Sequence, residues 1–183
     1  MNGQSSTQNV LHLFERQVER DPAAIAVASR HGELTYRELN ELAEELAGRL
    51  RARGVGPEIL VGLCVPRSPA MLVGALAIFK AGGAYLPLDP SEPETRLNFM
   101  FNDAGVSIVV AEQSLKEKMS GGDRRVIAFD EVGHLTDRDD EQTATQNPVA
   151  SINAKSLAYV IHTSGSTGTP KGDEPLPTTS TAR

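Results

Sequence analysis

The sequence predicts a layered α/β fold in which a mainly parallel sheet carries helices on both faces. Strand-length apolar runs alternate with segments of helical periodicity over residues 10 to 129, which is the pattern of an α/β protein. One of these runs, Ile59 to Val65, is almost continuously apolar, as in a parallel strand that is covered on both faces. Because parallel strands are joined by right-handed crossovers, the intervening helices should cover both sides of the sheet.

Length and composition limit what the chain does. Its 183 residues are enough for one substantial core. A net charge of −6 argues against a nucleic-acid-binding surface. The single cysteine, Cys64, lies between apolar neighbours, so we interpret it as a buried structural thiol. The N-terminus has no signal-peptide pattern, and the apolar run 69–79 is too short to span a bilayer. We therefore expect a soluble cytoplasmic protein with neither a nucleic-acid nor a membrane partner.

The first elements are a helix and a short strand. Residues 1–8 are polar, and we expect them to be disordered. A helix follows and ends at Asp21-Pro22. A strand is predicted at Ala24–Ala28, with a turn at His31-Gly32. The apolar residues at helical spacing are Val10, Leu11, Phe14 and Val18.

The second helix has clear start and stop signals. Thr35 is a good N-cap, and Glu38, three residues later, completes a capping box. Gly54 is suited to the position just after the helix ends. The face expected to be buried consists of Leu39, Leu42, Ala43, Leu46, Ala47 and Leu50.

A third helix follows the apolar strand. Ser68 is predicted as its N-cap, with Pro69 at the first helical position. The strand Ala84–Leu88 comes next, and Pro87 within it indicates an edge strand or a strand end. Asp89 could be a catalytic carboxylate, but we interpret it as a cap or turn residue. The helix face expected to be buried consists of Met71, Leu72, Ala75, Leu76 and Phe79.

The chain then repeats the alternation of helix and strand. Residues 130–150 contain many acidic residues and few apolar ones, which predicts a mobile solvated loop, since no metal-ligand spacing is present. The predicted elements before it are a helix over Glu92–Ala104, a strand over Ser107–Ala111, a helix over Gln113–Met119 and a strand over Val126–Phe129. The helix residues expected to point inward are Leu97, Met100 and Phe101.

The most informative stretch is an apolar strand followed by a glycine-rich loop. Leu157–Ile161 is predicted as a buried strand, and Thr163–Gly172 as a loop. Glycines let the backbone approach a ligand, and consecutive N–H groups with hydroxyls form an anion-binding concavity. Lys171 adds a positive charge, so the loop suits a polyphosphate. His162 either lines this site or simply ends the strand.

A Walker P-loop is the obvious alternative interpretation. Read from Gly165, the sequence GSTGTPKG has Pro170 where the second glycine belongs, and Gly172 in place of the metal-binding Ser or Thr. A Walker loop also opens a helix, which Pro170 followed by Gly172 does not favour. We therefore reject the Walker interpretation.

Three stretches together resemble a known family. They are LTYRELN at residues 34–40, FKAGGAYLPLDP at 79–90 and TSGSTGTPKG at 163–172. In this order they resemble core motifs of the adenylation domains of nonribosomal peptide synthetases, which belong to the adenylate-forming ligase superfamily. The resemblance covers roughly Val10 to Gly172.

The resemblance implies a two-step activity for an intact domain. An amino-acid carboxylate attacks the α-phosphorus of ATP, and the acyl group then passes to a phosphopantetheine thiol on a carrier protein. It also implies that Mg²⁺ accompanies ATP. In the loop, hydroxyls and backbone N–H groups would bind the phosphates and Lys171 would add charge. The residues implied in nucleotide binding are Thr163, Ser164, Gly165, Ser166, Thr167, Gly168 and Lys171. We assign no catalytic residue and no metal ligand.

The resemblance also divides the chain. Residues 9–172 correspond to the N-terminal part of an AMP-binding adenylation domain, which is an incomplete first subdomain of the adenylate-forming ligase fold. Residues 173–183 do not resemble the family and are predicted to be a disordered tail. The regions that bind the amino acid, the adenine and the metal come later in the family. Alone, the chain should bind phosphates weakly at most, bind no cofactor tightly and not turn over.

Two explanations fit this division. The chain is either the remnant of a longer synthetase gene, cut by a frameshift or an early stop, or a short module that binds phosphate and complements a separate chain. Which amino acid the intact domain would select is not encoded in this part of the family.

Overall fold

A computed structural model describes residues 10–30, 32–136, 162–164 and 170–172. The predictions for residues 1–8, His31, Leu157–Ile161 and the tail 173–183 lie outside these residues. The helices are α1 (Val10–Arg20), α2 (Tyr36–Ala52), α3 (Pro69–Lys80), α4 (Glu94–Asp103) and α5 (Lys116–Met119), with a 3₁₀ turn at Gln113–Leu115. The strands are β1 (Ile25–Ser29), β2 (Gly32–Thr35), β3 (Leu60–Cys64), β4 (Ala84–Leu88), β5 (Ile108–Glu112), β6 (Arg125–Phe129), β7 (His162–Ser164) and β8 (Pro170–Gly172).

In the part of the chain that the structure describes, the central sheet has four strands in the order β4-β3-β5-β6. All three of its strand pairs are parallel, with Val61 of β3 opposite both Tyr85 of β4 and Ile108 of β5. Strands β1 and β2 form a separate antiparallel pair. The predicted mainly parallel sheet is therefore confirmed.

Helices cover both faces of this sheet. Side chains alternate along a strand, so Val61 and Leu63 join a cluster with α2 and α3, whereas Cys64 joins a second cluster with α4 and α5. Phe101 and Met119 are fully buried in the second cluster. The molecule is thus built in three layers, as the sequence predicts.

The start of α2 has the predicted capping box. The backbone N–H of Thr35 donates to Glu38 Oε2 at 2.8 Å, and the backbone N–H of Glu38 donates to Thr35 Oγ1 at 3.3 Å. Beyond the helix, Gly54 has a φ of 87°, a left-handed conformation that glycine adopts at low cost. The predicted inward face is buried, except that Leu42 is only partly buried.

The orientation of α3 agrees with the prediction only in part, since Leu76 is buried and Ala75 packs against the core. Met71 and Leu72 are 38% and 46% exposed. The helix is apolar on nearly every side, so periodicity could not select its buried face. Small residues decide instead, because they let the helix approach the sheet and α2 closely. The fully buried residues of α3 include Ala70, Val73, Gly74, Ala77 and Ile78.

A buried lysine connects the first three helices. Lys80, only 8% exposed, places Nζ 3.2 Å from Glu44 Oε2 and 3.5 Å from Glu15 Oε1. Arg51 donates from Nη1 to the Lys80 carbonyl at 3.2 Å and from Nη2 to Glu44 Oε1 at 2.8 Å. The attraction of both carboxylates offsets the cost of desolvating the ammonium group, and this charge network connects α1, α2 and α3.

The chain leaves β6 through an ordered turn. Asp130 Oδ1 accepts the backbone N–H groups of Val132, Gly133 and His134 at 2.8–3.0 Å. Leu135 then forms an antiparallel bridge with Phe129. Burial acts to raise the pKa of Asp130, but these N–H groups outweigh it and lower the pKa. Residues 130–136 of the predicted acidic loop are thus structured, and 137–150 lie outside the described residues.

Within the described ranges, no helix is both long and apolar enough to cross a lipid bilayer.

Candidate functional site

The candidate site contains a short antiparallel hairpin. Strands β7 and β8 pair with His162 opposite Gly172, Thr163 opposite Lys171 and Ser164 opposite Pro170. Directly opposed residues in such a ladder have Cα atoms about 4.5–5.5 Å apart. The backbone positions of Thr163 and Lys171 are therefore neighbours, although seven residues lie between them in the sequence.

The hairpin corrects one prediction. The sequence predicts a loop over the whole of Thr163–Gly172, whereas both ends of this range are paired strands. Of the predicted nucleotide-binding residues, Thr163, Ser164 and Lys171 lie in the strands. Gly165, Ser166, Thr167 and Gly168 belong to the connection, which lies outside the described residues. A glycine-containing connection of about five residues between two short segments is itself a hairpin signal. The glycines and the proline of this stretch also predict a loop, so the two short strands at its ends are not evident from the sequence.

The strand pairing supports rejecting the Walker interpretation. In a Walker loop the lysine opens a helix that follows the phosphate-binding turn. Here Lys171 lies inside a β-strand, between Pro170 and Gly172. The lysine is presented by a hairpin rather than by the N-terminus of a helix.

A second feature lies at the carboxyl ends of β3 and β4. It is a groove of about 410 Å³, here called the carboxyl-edge groove. Open α/β folds bind their ligands outside the carboxyl ends of the sheet strands. Six of the groove's eight lining residues are apolar and the other two are a cation and an anion, and polar and apolar atoms contribute about equally to its surface. The lining residues are Leu63, Val65, Arg67, Met71, Pro87, Leu88, Asp89 and Pro90.

Asp89 stabilises the turn beside this groove. Its Oδ1 accepts the backbone N–H of Ser91 at 2.8 Å and the Ser91 hydroxyl at 2.7 Å. These two hydrogen bonds lower the pKa of Asp89. The predicted role as a turn residue is confirmed.

Lys118 of α5 holds the same turn from the other side. Its Nζ donates to the carbonyls of Pro90 at 2.6 Å and Glu92 at 2.9 Å. Nearby, burial raises the pKa of the Cys64 thiol to about 11, which agrees with a structural role. In the described part of the chain, no group of three His, Cys, Asp or Glu residues could hold a metal ion.

Comparison with protein families gives a match over most of the chain. The family described as AMP-binding enzyme matches residues 14–172. The chain belongs to this family.

Curated relatives of this AMP-binding chain are peptide synthases. Gramicidin S synthase 2 from Brevibacillus brevis is 46% identical over 166 residues, which cover 90% of this chain and 4% of the relative. Bacitracin synthase 3 from Bacillus licheniformis is 43% identical over 165 residues, covering 90% of this chain and 2% of the relative. The predicted membership of the peptide synthetase adenylation domains is confirmed.

Solved structures agree with the sequence relatives. The nonribosomal peptide synthetase FmoA3 matches with a TM-score of 0.75 and 31% identity, over 90% of this chain and 17% of that chain. The N-terminal subdomain of Klebsiella oxytoca NpsA matches with a TM-score of 0.72 and 26% identity, over 90% of this chain and 40% of that chain. The chain therefore has the fold of part of the N-terminal subdomain, and it spans less than half of each of these relatives.

Proposed function

We propose that the chain supplies the ATP-phosphate-binding part of an amino-acid-activating adenylation domain. The observation that supports this most directly is the hairpin register, which brings Lys171 opposite Thr163 at the two ends of a glycine-rich connection. FmoA3 has also been solved in forms bound to AMPPNP and to α-methyl-L-serine-AMP. We transfer nucleotide binding to this chain on the basis of these two facts.

The proposed roles follow from the chemistry of the side chains. The hydroxyls of Thr163, Ser164, Ser166 and Thr167 would donate hydrogen bonds to phosphate oxygens. Gly165 and Gly168 would let backbone N–H groups approach the same oxygens. Lys171 would balance the charge that develops on the leaving pyrophosphate. This donor set fits a polyphosphate anion.

Magnesium fits the same proposal less directly. The hairpin and its connection contain hydroxyls and an amine but no carboxylate, and Mg²⁺ prefers carboxylate, phosphate and water oxygens. Mg²⁺ would therefore reach the site bound to the nucleotide phosphates, where it would neutralise part of their charge. The chain's own contribution is to orient the triphosphate.

The remaining steps would depend on the rest of an adenylation domain. In the relatives, more than nine-tenths of the protein lies outside the matched segment. We propose that selection of the amino acid and transfer to a phosphopantetheine carrier belong to those parts, in the cytoplasm where ATP is available. The 183-residue chain by itself would bind ATP weakly and would not catalyse amino-acid-dependent pyrophosphate exchange.

The test is a titration of the chain with Mg-ATP, followed by calorimetry or NMR. Replacing Ser166 and Lys171 together by alanine should weaken binding at least about tenfold, because hydrogen bonds to charged groups contribute roughly 1.5–3 kcal/mol each. Arg37→Ala is the matched control, since it removes an exposed cation from α2 and should leave affinity unchanged. Equal affinity of the wild type and the double variant would refute the proposal.

A short module that complements a separate chain is the second candidate. It is favoured by the two buried apolar clusters, one on each face of a single sheet, which residues 10–136 form among themselves. Both candidates use the same phosphate-binding hairpin. In the second candidate, a separate chain supplies the rest of the adenylation domain.

A further inference from the structure

Helix α1 is attached to the molecule more loosely than α2, α3 or α4. None of its residues is buried, whereas each of those three helices has buried residues. Val10 and Leu13 are 59% and 50% exposed. Leu11 and Phe14 pack against the buried cluster of α2 and α3 but are only partly buried themselves, and the Phe14 ring lies 5.9 Å from the Tyr36 ring. Segments with few buried apolar contacts are the ones that open locally.

Charge contributes to the attachment of α1 through Glu15. The ammonium group of Lys80, a residue only 8% exposed, lies 3.5 Å from Glu15 Oε1 and 3.2 Å from Glu44 Oε2. Arg51 donates to the second oxygen of the Glu44 carboxylate. These two cations and two anions carry no net charge together. Without α1, Lys80 and Arg51 would share Glu44 alone, and an excess positive charge at a buried ammonium group is costly.

The chain is anchored directly after α1. The Arg37 N–H donates to the Pro22 carbonyl and the Tyr36 N–H donates to the Ala24 carbonyl, both at 3.0 Å. These N–H groups belong to the first turn of α2 and have no acceptor within their own helix, so the connection stays bound when α1 moves. Motion is consequently confined to the residues before Pro22. With 11 residues, α1 is too short to be stable as an isolated helix in water, so an undocked α1 would lose its helical hydrogen bonds.

We propose that α1 is a releasable strap, latched by the Glu15–Lys80 ion pair, which opens while the three-layer body stays folded. The open state exposes the Lys80 ammonium group and the apolar surface beneath Leu11 and Phe14. Lys80 belongs to the stretch FKAGGAYLPLDP, and the latch gives this lysine a role that phosphate binding by the hairpin does not. The strap does not depend on nucleotide binding, so its test is separate from that of the proposed function.

The test is hydrogen–deuterium exchange of the full chain, measured at the amides of residues 14–20 in α1 and of Leu60–Cys64 in β3. Glu15→Gln removes the latch charge and nearly keeps the size of the side chain. The buried ammonium group then retains Glu44 as a partner, so the body should stay folded. Glu19→Gln is the matched control, because it removes the same charge from an exposed position on the same helix.

In the wild type, we expect the α1 amides to have protection factors at least about tenfold lower than those of β3, because α1 opens without the sheet. Glu15→Gln should speed exchange in α1 about threefold and leave β3 unchanged, and Glu19→Gln should change neither. Sodium chloride at about 1 M screens charges more than about 3 Å apart. The difference between the wild type and Glu15→Gln should therefore shrink at that concentration.

Three results would overturn the inference. Equal protection of α1 and β3 in the wild type would mean that α1 opens only when the whole molecule unfolds. Equal effects of Glu15→Gln and Glu19→Gln, or a difference between the wild type and Glu15→Gln that salt leaves unchanged, would mean that the ion pair is not the latch. Faster exchange in β3 as well as in α1 of Glu15→Gln would mean that the body does not stay folded when the latch is broken.

Discussion

Thr35 and Ser68 both occupy the N-cap position of a helix, but only Thr35 caps with its side chain. Thr35 and Glu38 exchange hydrogen bonds, as the spacing of the two residues predicts. Ser68 instead donates its hydroxyl to the Pro66 carbonyl at 3.2 Å and makes no side-chain hydrogen bond to the first turn of α3. Residue identity is enough to predict where both helices begin, but not which oxygen accepts a given hydrogen bond.

Thr35→Ala should lower the free energy of unfolding by about 1 kcal/mol, because it removes the capping side chain. Ser68→Ala should change it by less than about 0.5 kcal/mol, since that side chain makes no capping bond to α3. Urea unfolding of the two variants and the wild type measures both effects. Equal losses from the two substitutions would show that the capping box does not control the stability of α2.

Asp130 should make stability sensitive to acid. Its pKa is lowered in the folded state, so its contribution is fully present above the unfolded pKa of about 3.9 and is lost as the pH falls through the folded value. Asp130→Asn should therefore be less stable than the wild type at pH 7. The difference in their free energies of unfolding should narrow below about pH 4. Urea midpoints across pH 3–7 provide the measurement. A stability difference that stays constant across this pH range would show that the charge of the Asp130 carboxylate does not stabilise the fold.

At the scale of elements, the strands and the amphipathic helix α2 are predictable, whereas the rotation of α3 is not. A helix with a polar side reveals its buried face, and α3 has almost no such side. Its orientation comes from close packing: a Cβ added at Gly74 would lie 2.6 Å from Leu63 Cδ1. The pairing of β7 with β8 escapes prediction for a related reason, because strand register depends on a partner that composition does not reveal.

Gly74→Ala tests this packing. Overpacking costs roughly 1–3 kcal/mol, which exceeds the gain of up to about 1 kcal/mol from the better helix former, so we expect a net loss of stability. Gly48→Ala in α2 is the control, because nothing lies within 4 Å of the added Cβ. It should leave the protein as stable or raise stability by up to about 1 kcal/mol. Thermal or urea unfolding of both variants decides between these expectations.

At the scale of the whole molecule, the alternation of strand and helix predicts the three layers, and the three motifs predict the family. The sequence could not show how the candidate site is completed. Hairpin register is a property of tertiary packing, which the order of apolar and polar residues does not reveal.

Cys64 offers a measure of global unfolding. The thiol is completely buried and its pKa is raised to about 11, so only about one thiol in a thousand would be ionised at pH 8. We expect negligible reaction with a disulfide reagent in the native protein, and full reaction in urea over the same transition as the loss of helical circular dichroism. Rapid labelling without denaturant would mean that the core between the sheet and α4 opens locally.

The order of the sheet strands also bears on synthesis. Within the described residues, the four strands of the central sheet come from residues 60–129, and the hairpin that we propose binds phosphate follows them in the chain. At about 5–20 residues per second, the ribosome releases the segments of the three-layer body seconds before residue 172 emerges. Because these strands and their crossovers lie together in one continuous segment, we expect the body to begin folding while the chain is still being synthesised. In a longer synthetase, it would offer a preformed template to the segments translated after it.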